Sequence, residues 1–286
     1  MGTIFHQDAP LAADRQAAAP QTQPRQAPLR PAPMSLVDMH LHLDRTAAPL
    51  ELAQSLASAG VGALCVTVSP RDYFYASSAL ATCENVRVAV GMHPWWIADG
   101  SASEKDAGQA VALAQDARFV GEVGLDGTTR HRQNFGLQCR VLRRVLAACA
   151  THPLAGRVIS LHASAAAAEV LDIAEETEVG ADATLIFHWF NGSSEELVRA
   201  RSVGAFFSVN DRMLKTRRGR AYAKQIPADR LLLETDLPQR FDSPLTTAAV
   251  KGSLERALAQ LAQIRGEAIN TLAGRIASTS KMILGL

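Results

Sequence analysis

Eight short hydrophobic runs recur from Ser35 onward, and longer segments with apolar residues at helical spacing separate them. The runs are apolar at consecutive positions instead of alternating with polar residues, which is typical of parallel strands that helices cover on both faces. The predicted strands are Leu36 to Met39, Val61 to Val68, Val86 to Val90, Phe119 to Leu125, Val158 to Leu161, Thr184 to Phe187, Ala205 to Val209 and Leu231 to Leu233.

The segments between these runs predict helices. A short apolar face at 53–57 ends at Gly60, and a longer apolar stripe runs over 135–149. The segment Ser193 to Glu196 has the spacing of a capping box, and residues 254–261 predict a final helix. Eight strands with intervening helices in roughly 250 residues indicate an α/β fold, a (β/α)8 TIM barrel. The alternative, an open doubly wound sheet, has no GxGxxG or P-loop motif to support it.

The N-terminal segment differs in composition from the rest of the chain. Residues 1–33 are rich in Ala, Pro and Gln and show no hydrophobic periodicity, so burial cannot offset their chain entropy. We therefore expect a disordered tail at 1–33, a candidate docking segment for a protein partner, followed by a barrel domain at 34–286.

Composition and charge exclude several classes of protein. The 29 Lys and Arg residues nearly balance the 28 Asp and Glu residues, so the net charge of +1 creates no strong field toward nucleic acid or lipid. No apolar run approaches the roughly 18 residues that span a bilayer. The 4 cysteines contain no CxxC pair and predict reduced thiols. We expect a soluble cytoplasmic protein that binds no membrane and binds anions only locally.

The informative polar residues lie at the carboxyl ends of the predicted strands, where barrel enzymes build their sites. Glu122 lies within the fourth hydrophobic run, and Asp236 follows the eighth. Buried carboxylates and imidazoles are costly without a compensating partner, and a bound cation is the simplest common partner. Five of the 8 histidines occupy such positions: His40, His42, His93, His162 and His188.

His40 and His42 are separated by one residue, so on a strand both side chains project to the same side. Such a pair occurs by chance, and a lone histidine is more often a hydrogen-bonded core residue. The combination with ligands at other strand ends favours a metal site, and there are too many ligands for one tetrahedral ion. We expect two divalent ions (Mg, Mn or Zn), because the ligands do not name the metal. Glu234 and Asp126 are interpreted as structural and capping residues.

Six short motifs contain these residues. They occur in one order along the chain, and their combination is more specific than each motif alone. The motifs are Asp38-Met39-His40-Leu41-His42, Gly91-Met92-His93-Pro94, Gly121-Glu122-Val123-Gly124-Leu125-Asp126, Leu161-His162, Phe187-His188-Trp189-Phe190-Asn191-Gly192 and Glu234-Thr235-Asp236-Leu237-Pro238.

This series resembles the TatD-type metal-dependent deoxyribonucleases, which are barrel hydrolases with two metals that act on DNA, often as exonucleases. The resemblance implies that His40 and His42 hold one ion with Asp236. It further implies that Glu122 bridges two ions and takes part in catalysis. His162 and His188 would hold the second ion, His93 would act as a catalytic residue that contacts the substrate, and Asp236 would orient or deprotonate the attacking water.

The chain departs from this pattern at one position. Many relatives carry an arginine two residues after the histidine of the fifth strand, whereas this chain has Ala163 and Ser164 there. The departure puts a phosphate-binding cation in doubt. Trp189 and the segment Phe206 to Asn210 are more similar to divergent members, some of which accompany anti-phage gene clusters.

Two further features are candidates for substrate binding. Trp95, next to Trp96, could stack on a base, although adjacent tryptophans more often cover apolar surface. Arg217 and Arg218 belong to a basic segment after the seventh strand and could guide a nucleic-acid strand, or they could form a solvated helix face.

Three functions therefore remain open. The first is a DNA exonuclease that acts on single strands or strand ends. The second is a barrel hydrolase of the same metal type that cleaves another ester or an amide. The third is a non-catalytic component of a defence-type complex, in which the tail docks a partner.

Overall fold

The computed structural model describes residues 35–238, 240 and 244–286. Its eight parallel strands lie in the order β1 to β8 and alternate with helices, as in a TIM barrel. The predicted (β/α)8 fold is therefore confirmed. The predicted tail at 1–33 lies outside the described residues.

Each of the eight hydrophobic runs forms a strand, and the predicted ends differ by a few residues. Strand pairing is parallel throughout, so the carboxyl ends of all strands meet at one mouth of the barrel. The strands are β1 Leu36–Leu41, β2 Val61–Val66, β3 Val86–Met92, β4 Phe119–Asp126, β5 Arg157–Ser164, β6 Ala183–His188, β7 Phe206–Val209 and β8 Leu231–Leu233.

Helices follow the strands, and the predicted capping box at Ser193 and Glu196 is present. The C-terminal helix, Ile269–Leu284, was not predicted from the sequence. Among the described helices, none combines the length and the apolar character needed to cross a bilayer. The helices are α1 Pro49–Ser58, α2 Pro70–Ala79, α3 Pro94–Ala98, α4 Glu104–Asp116, α5 Phe135–Thr151, α6 Ala167–Glu176, α7 Ser194–Ser202, α8 Arg217–Gln225, α9 Thr247–Arg265 and α10 Ile269–Leu284.

The barrel is joined between its first and last strands beside the predicted ligands. The backbone N–H of Asp236 donates to the His40 carbonyl at 2.9 Å. The Asp38 carboxylate accepts hydrogen bonds from the backbone N–H of Thr235 at 3.0 Å and from its hydroxyl at 2.6 Å. Burial raises the pKa of Asp38 to about 7. These contacts fix His40 and Asp236 relative to each other.

A close approach of β4 and β5 requires a glycine at position 124. A Cβ added there would lie 2.0 Å from the carbonyl oxygen of His162, and the backbone has a φ of +152°. No side chain fits in this space. Gly124 therefore allows the strand that carries Glu122 to lie directly beside the strand that carries His162.

Arg157 connects the start of β5 to the ends of two neighbouring helices. Its guanidinium is fully buried, and it satisfies backbone carbonyls that helix ends leave without partners. The accepting carbonyls belong to Gln115, Ala117, Cys149 and His152, at 2.7, 3.0, 2.5 and 2.7 Å.

We expect Arg157→Met to lower the free energy of unfolding by about 3 to 5 kcal/mol, because it leaves several buried carbonyls without donors. Urea denaturation of the purified variant measures this change. The control is Arg143→Met, which removes an exposed ion pair with Glu176 and should cost less than about 1 kcal/mol. Equal losses in the two variants would contradict the role of Arg157.

Candidate metal centre and substrate cavity

A cavity of about 500 Å³ opens at the mouth where the strands end. His40 is fully buried behind this cavity, and its Nε2 lies 3.2 Å from the carboxylate of Glu122, which lines the cavity. The structure thus brings all six predicted ligands and His93 together. The other predicted residues of this centre line the cavity: His42, His93, Glu122, His162, His188 and Asp236.

The two oxygens of Glu122 face different groups of histidines. Its Oε2 lies 3.2 Å from His40 Nε2 and 3.6 Å from His42 Nε2. The same two nitrogens lie 3.9 and 3.6 Å from Asp236 Oδ1. These residues form the first group of donors, with two imidazoles and two carboxylates.

The second group surrounds Oε1 of Glu122. His162 Nδ1 lies 2.7 Å and His188 Nε2 lies 2.9 Å from this oxygen. His93 Nε2 lies 3.1 Å away. Glu122 therefore presents one carboxylate oxygen to the histidine nitrogens of each group.

Three of the ligand histidines are oriented through the ring nitrogen that points away from Glu122. His42 Nδ1 donates to the Val66 carbonyl at 3.1 Å, so its Nε2 keeps a free lone pair when the ring is neutral. His162 Nε2 lies 3.2 Å from the Asp126 carboxylate, which accepts its hydrogen. His40 Nδ1 lies 3.1 Å from the hydroxyl of Ser160. Such outer partners are typical of metal-binding histidines.

Glu234 lies beside His188. The Nδ1 of His188 lies 3.8 Å from Glu234 Oε1, and this carboxylate accepts hydrogen bonds from Asn210 Nδ2 at 2.7 Å and from the Ser208 hydroxyl. Glu234 is fully buried and therefore occupies a fixed position. His188 Nδ1 itself is buried without a hydrogen-bond partner among the described residues, so the bonds of Glu234 go to Asn210 and Ser208 and not to this ring.

His93 differs from His42 and His162 because its ring nitrogen that faces Glu122 carries the hydrogen. Its Nδ1 accepts a hydrogen bond from the Trp95 backbone N–H at 3.1 Å, so in the neutral ring the hydrogen is on Nε2. Burial lowers the pKa of His93 to about 4 and so favours the neutral ring. This tautomer makes His93 a hydrogen-bond donor toward the cavity instead of a metal ligand, even though its Nε2 lies near Glu122 and His162.

The carboxylates of the centre remain ionised despite their burial. Burial would raise the pKa of Glu122, but the neighbouring imidazoles, His93 and His188 foremost, hold it well below its usual value. Burial likewise opposes ionisation of Asp236 and Asp126, yet the neighbouring imidazole of His42 lowers the pKa of Asp236, and the hydrogen bond from His162 lowers that of Asp126. Concentrated negative charge in a buried site requires compensation by cations.

The donor set fits divalent metal ions. Nitrogen and carboxylate oxygen atoms of His40, His42 and Glu122 all lie within 4.8 Å of one another, and atoms of Glu122 and His162 belong to a second such group. Imidazole with carboxylate is a ligand set of zinc, manganese and iron sites. His40, His188 and Glu234 also meet this distance criterion, but Glu234 is occupied by Asn210 and Ser208.

The predicted substrate-binding residues separate into two places. Trp95 lines the cavity, is 45% exposed, and stacks on His131 with ring centroids 4.5 Å apart. Its indole N–H donates to Asp126 at 2.6 Å. Arg217 and Arg218 are exposed at the start of α8 and do not line the cavity.

Two further residues line the cavity that the sequence did not predict as site residues. Asp126 was expected to be a capping residue, but it contacts His162 and Trp95. Its position at the end of β4 is the same signal that identified the predicted metal ligands. Arg212 lines the cavity and lies over Trp189, and no sequence pattern distinguished it from the neighbouring arginines.

Strained backbone is concentrated at the same mouth. Ala165, Trp189 and Asp236 adopt positive φ values of 48°, 40° and 57°. Residues other than glycine adopt this conformation at a cost, and such residues occur preferentially at functional sites. The carboxylate of Asp236 faces the imidazoles of His40 and His42 and lines the cavity.

The family model described as TatD related DNase matches residues 37–285. The 3'-5' ssDNA/RNA exonuclease TatD of Pantoea ananatis is 27% identical over 208 residues, which cover 68% of this chain and 76% of that protein.

Solved structures share the fold. YjjV, a TatD homologue from Escherichia coli K12, has a TM-score of 0.73 at 19% identity, over 88% of this chain and 99% of its own. A TatD-family hydrolase from Entamoeba histolytica has a TM-score of 0.71 at 14% identity, over 88% of this chain and 98% of its own. Since the family model spans almost all the described residues, the chain belongs to the TatD-related DNase family and is a metal-dependent hydrolase.

Proposed function

We propose that this protein hydrolyses phosphodiester bonds of DNA, as an exonuclease on single strands or strand ends, with two divalent cations. The proposal depends on one arrangement of ligand atoms: nitrogens of His40 and His42 lie near one oxygen of Glu122, and nitrogens of His162 and His188 lie near the other. The name of the Pantoea ananatis relative supports a nucleic-acid substrate.

The two groups of donors would each hold one cation, with Glu122 shared between them. His40, His42 and Asp236 would complete the first site, and His162 and His188 would complete the second. When bound, divalent cations make water acidic enough to attack near neutral pH and offset the charge of a phosphodiester. Mg, Mn and Zn are the candidate ions.

Asp236 is suited to accept the proton of the attacking water. Its side chain is 22% exposed at the cavity, more than the other ligands, and the neighbouring imidazole of His42 lowers its pKa. His93 would donate from Nε2 to a phosphate oxygen, because its Nδ1 is occupied by the Trp95 N–H. Trp95, stacked on His131, would support a base, a contact worth about 1 to 3 kcal/mol per base.

The test is a time course with the purified protein on single-stranded DNA labelled at each end, with Mg, Mn or Zn supplied separately. We expect metal-dependent loss of nucleotides from one end. Small phosphodiesters and carboxylic esters are assayed in parallel. Faster cleavage of an ester than of DNA would assign the same centre to another bond, and no hydrolysis with any metal would contradict the proposal.

We expect Asp126→Asn to weaken metal binding by about 10- to 100-fold at the site of His162, because loss of the carboxylate removes the partner that orients this ring. Isothermal titration with Mn²⁺ measures the affinity. Asp99→Asn is the control, since Asp99 also lines the cavity but bonds Ser101. Unchanged binding by the Asp126 variant would contradict its positioning role.

A further inference from the structure

Arg212 has an unusual environment at the wall of the cavity. Its guanidinium carbon lies 4.2 Å from the centre of the Trp189 ring, and its Nη1 is buried without a hydrogen-bond partner among the described residues. Buried polar groups are generally satisfied, and an unsatisfied charged donor is costly. Because Arg212 also lines the cavity, an anion bound there would give this guanidinium a partner.

The segment that carries Arg212 is firmly anchored. Asn210 is fully buried, accepts a hydrogen bond from the Met213 N–H at 2.8 Å and donates to Glu234 at 2.7 Å. Asp211 is buried and bonded to Ser253 and Arg256. Arg212 therefore follows two fixed residues, one of which bonds the buried carboxylate of Glu234.

The stacking on Trp189 also determines which ligand suits Arg212. An arginine that packs against an indole ring keeps N–H donors for an anion, and the planar guanidinium can meet two oxygens of one phosphate. Trp189 directly follows the ligand His188 in the chain. The donors are therefore held at the same cavity wall as the second group of the metal centre.

We propose that Arg212 binds a phosphate of the substrate strand, an inference that rests on the proposed function. The other cations that line the cavity are differently placed: Arg45 lies over Trp96 at 5.9 Å, and Arg130 is exposed. At the wall formed by β5, Ala163 and Ser164 contribute no charge. Arg212 supplies the preorganised positive charge that an anionic strand needs.

Arg212→Met, which keeps an apolar stem on Trp189, tests this role. We expect KM for the single-stranded oligonucleotide (dT)6 to rise roughly 10- to 100-fold, while kcat changes little. The slope of log affinity against log salt should fall by about 0.7, the contribution of one phosphate contact on a single strand. Arg212→Lys should recover part of the affinity. Arg220→Met on α8, outside the cavity, is the matched control.

A second readout separates this proposal from the proposed nuclease activity. Binding of inorganic phosphate and of (dT)6 is measured by calorimetry with and without Mn²⁺. If the wild type cleaves no DNA but Arg212→Met binds these probes more weakly, the anion site stands and the nuclease function fails. Equal KM, affinity and salt slope in the wild type and Arg212→Met, or no binding of either probe to the wild type, would overturn the role of Arg212.

Discussion

Glu122→Ala is expected to abolish both metal sites and to reduce turnover on the order of 10³-fold or more, equivalent to about 4 kcal/mol or more of activation free energy. Five imidazole nitrogens lie 2.7 to 3.6 Å from this carboxylate. Its removal deprives both groups of their shared oxygen donor at once. Metal content by mass spectrometry and kcat on single-stranded DNA measure the two effects, and we expect kcat to fall far more than affinity for DNA.

Glu122→Gln separates loss of charge from loss of shape, because the amide retains the size of the side chain but not its negative charge. It should also lose metal. Glu175→Gln, which alters an exposed partner of Arg199, is the control and should retain metal and activity. Full metal content and full activity in Glu122→Ala would refute the shared role of Glu122.

Asp236→Asn should lower kcat about 10²- to 10⁴-fold, the range typical of a general base. The amide preserves the shape of the side chain but cannot accept a proton from water. The carbonyl oxygen of the amide would still face His40 and His42, whose Nε2 atoms lie 3.9 and 3.6 Å from Oδ1 of Asp236. We therefore expect part of the metal to remain, and the loss to exceed any rise in KM.

Steady-state kinetics on labelled single-stranded DNA, together with the metal content of the same preparation, measure this split. The comparison variant is Asp99→Asn, another aspartate at the cavity, which should leave kcat nearly unchanged. If Asp236→Asn retains the wild-type kcat, another group must accept the proton.

The strands and the cluster of ligands were predictable because both depend on short-range pattern. Consecutive apolar residues indicate buried parallel strands, and parallel strands bring their carboxyl ends to one mouth. Residues as distant in the chain as His42 and Asp236 could therefore be expected to meet, and their side chains lie 3.6 Å apart.

The contacts of the loops were not predictable in the same way. Asp126 ends a strand, but its bonds to Trp95 and His162 depend on how three separate segments fold over the mouth. Arg212 and Arg217 belong to the same basic stretch of sequence, yet only Arg212 lines the cavity. A 3-10 turn at Met213–Lys215 lies between them. Side-chain direction after a strand depends on such local geometry, which composition does not encode.

In the proposed centre one carboxylate, that of Glu122, is shared by two cations. Anomalous X-ray diffraction from crystals grown with Mn²⁺ tests this sharing directly, because each bound ion gives a separate peak. We expect two peaks, each about 2.0 to 2.3 Å from a different oxygen of Glu122. One peak would flank His40 and His42, and the other would flank His162 and His188. A single peak, or two peaks that both lie away from Glu122, would contradict the sharing of Glu122 by two cations.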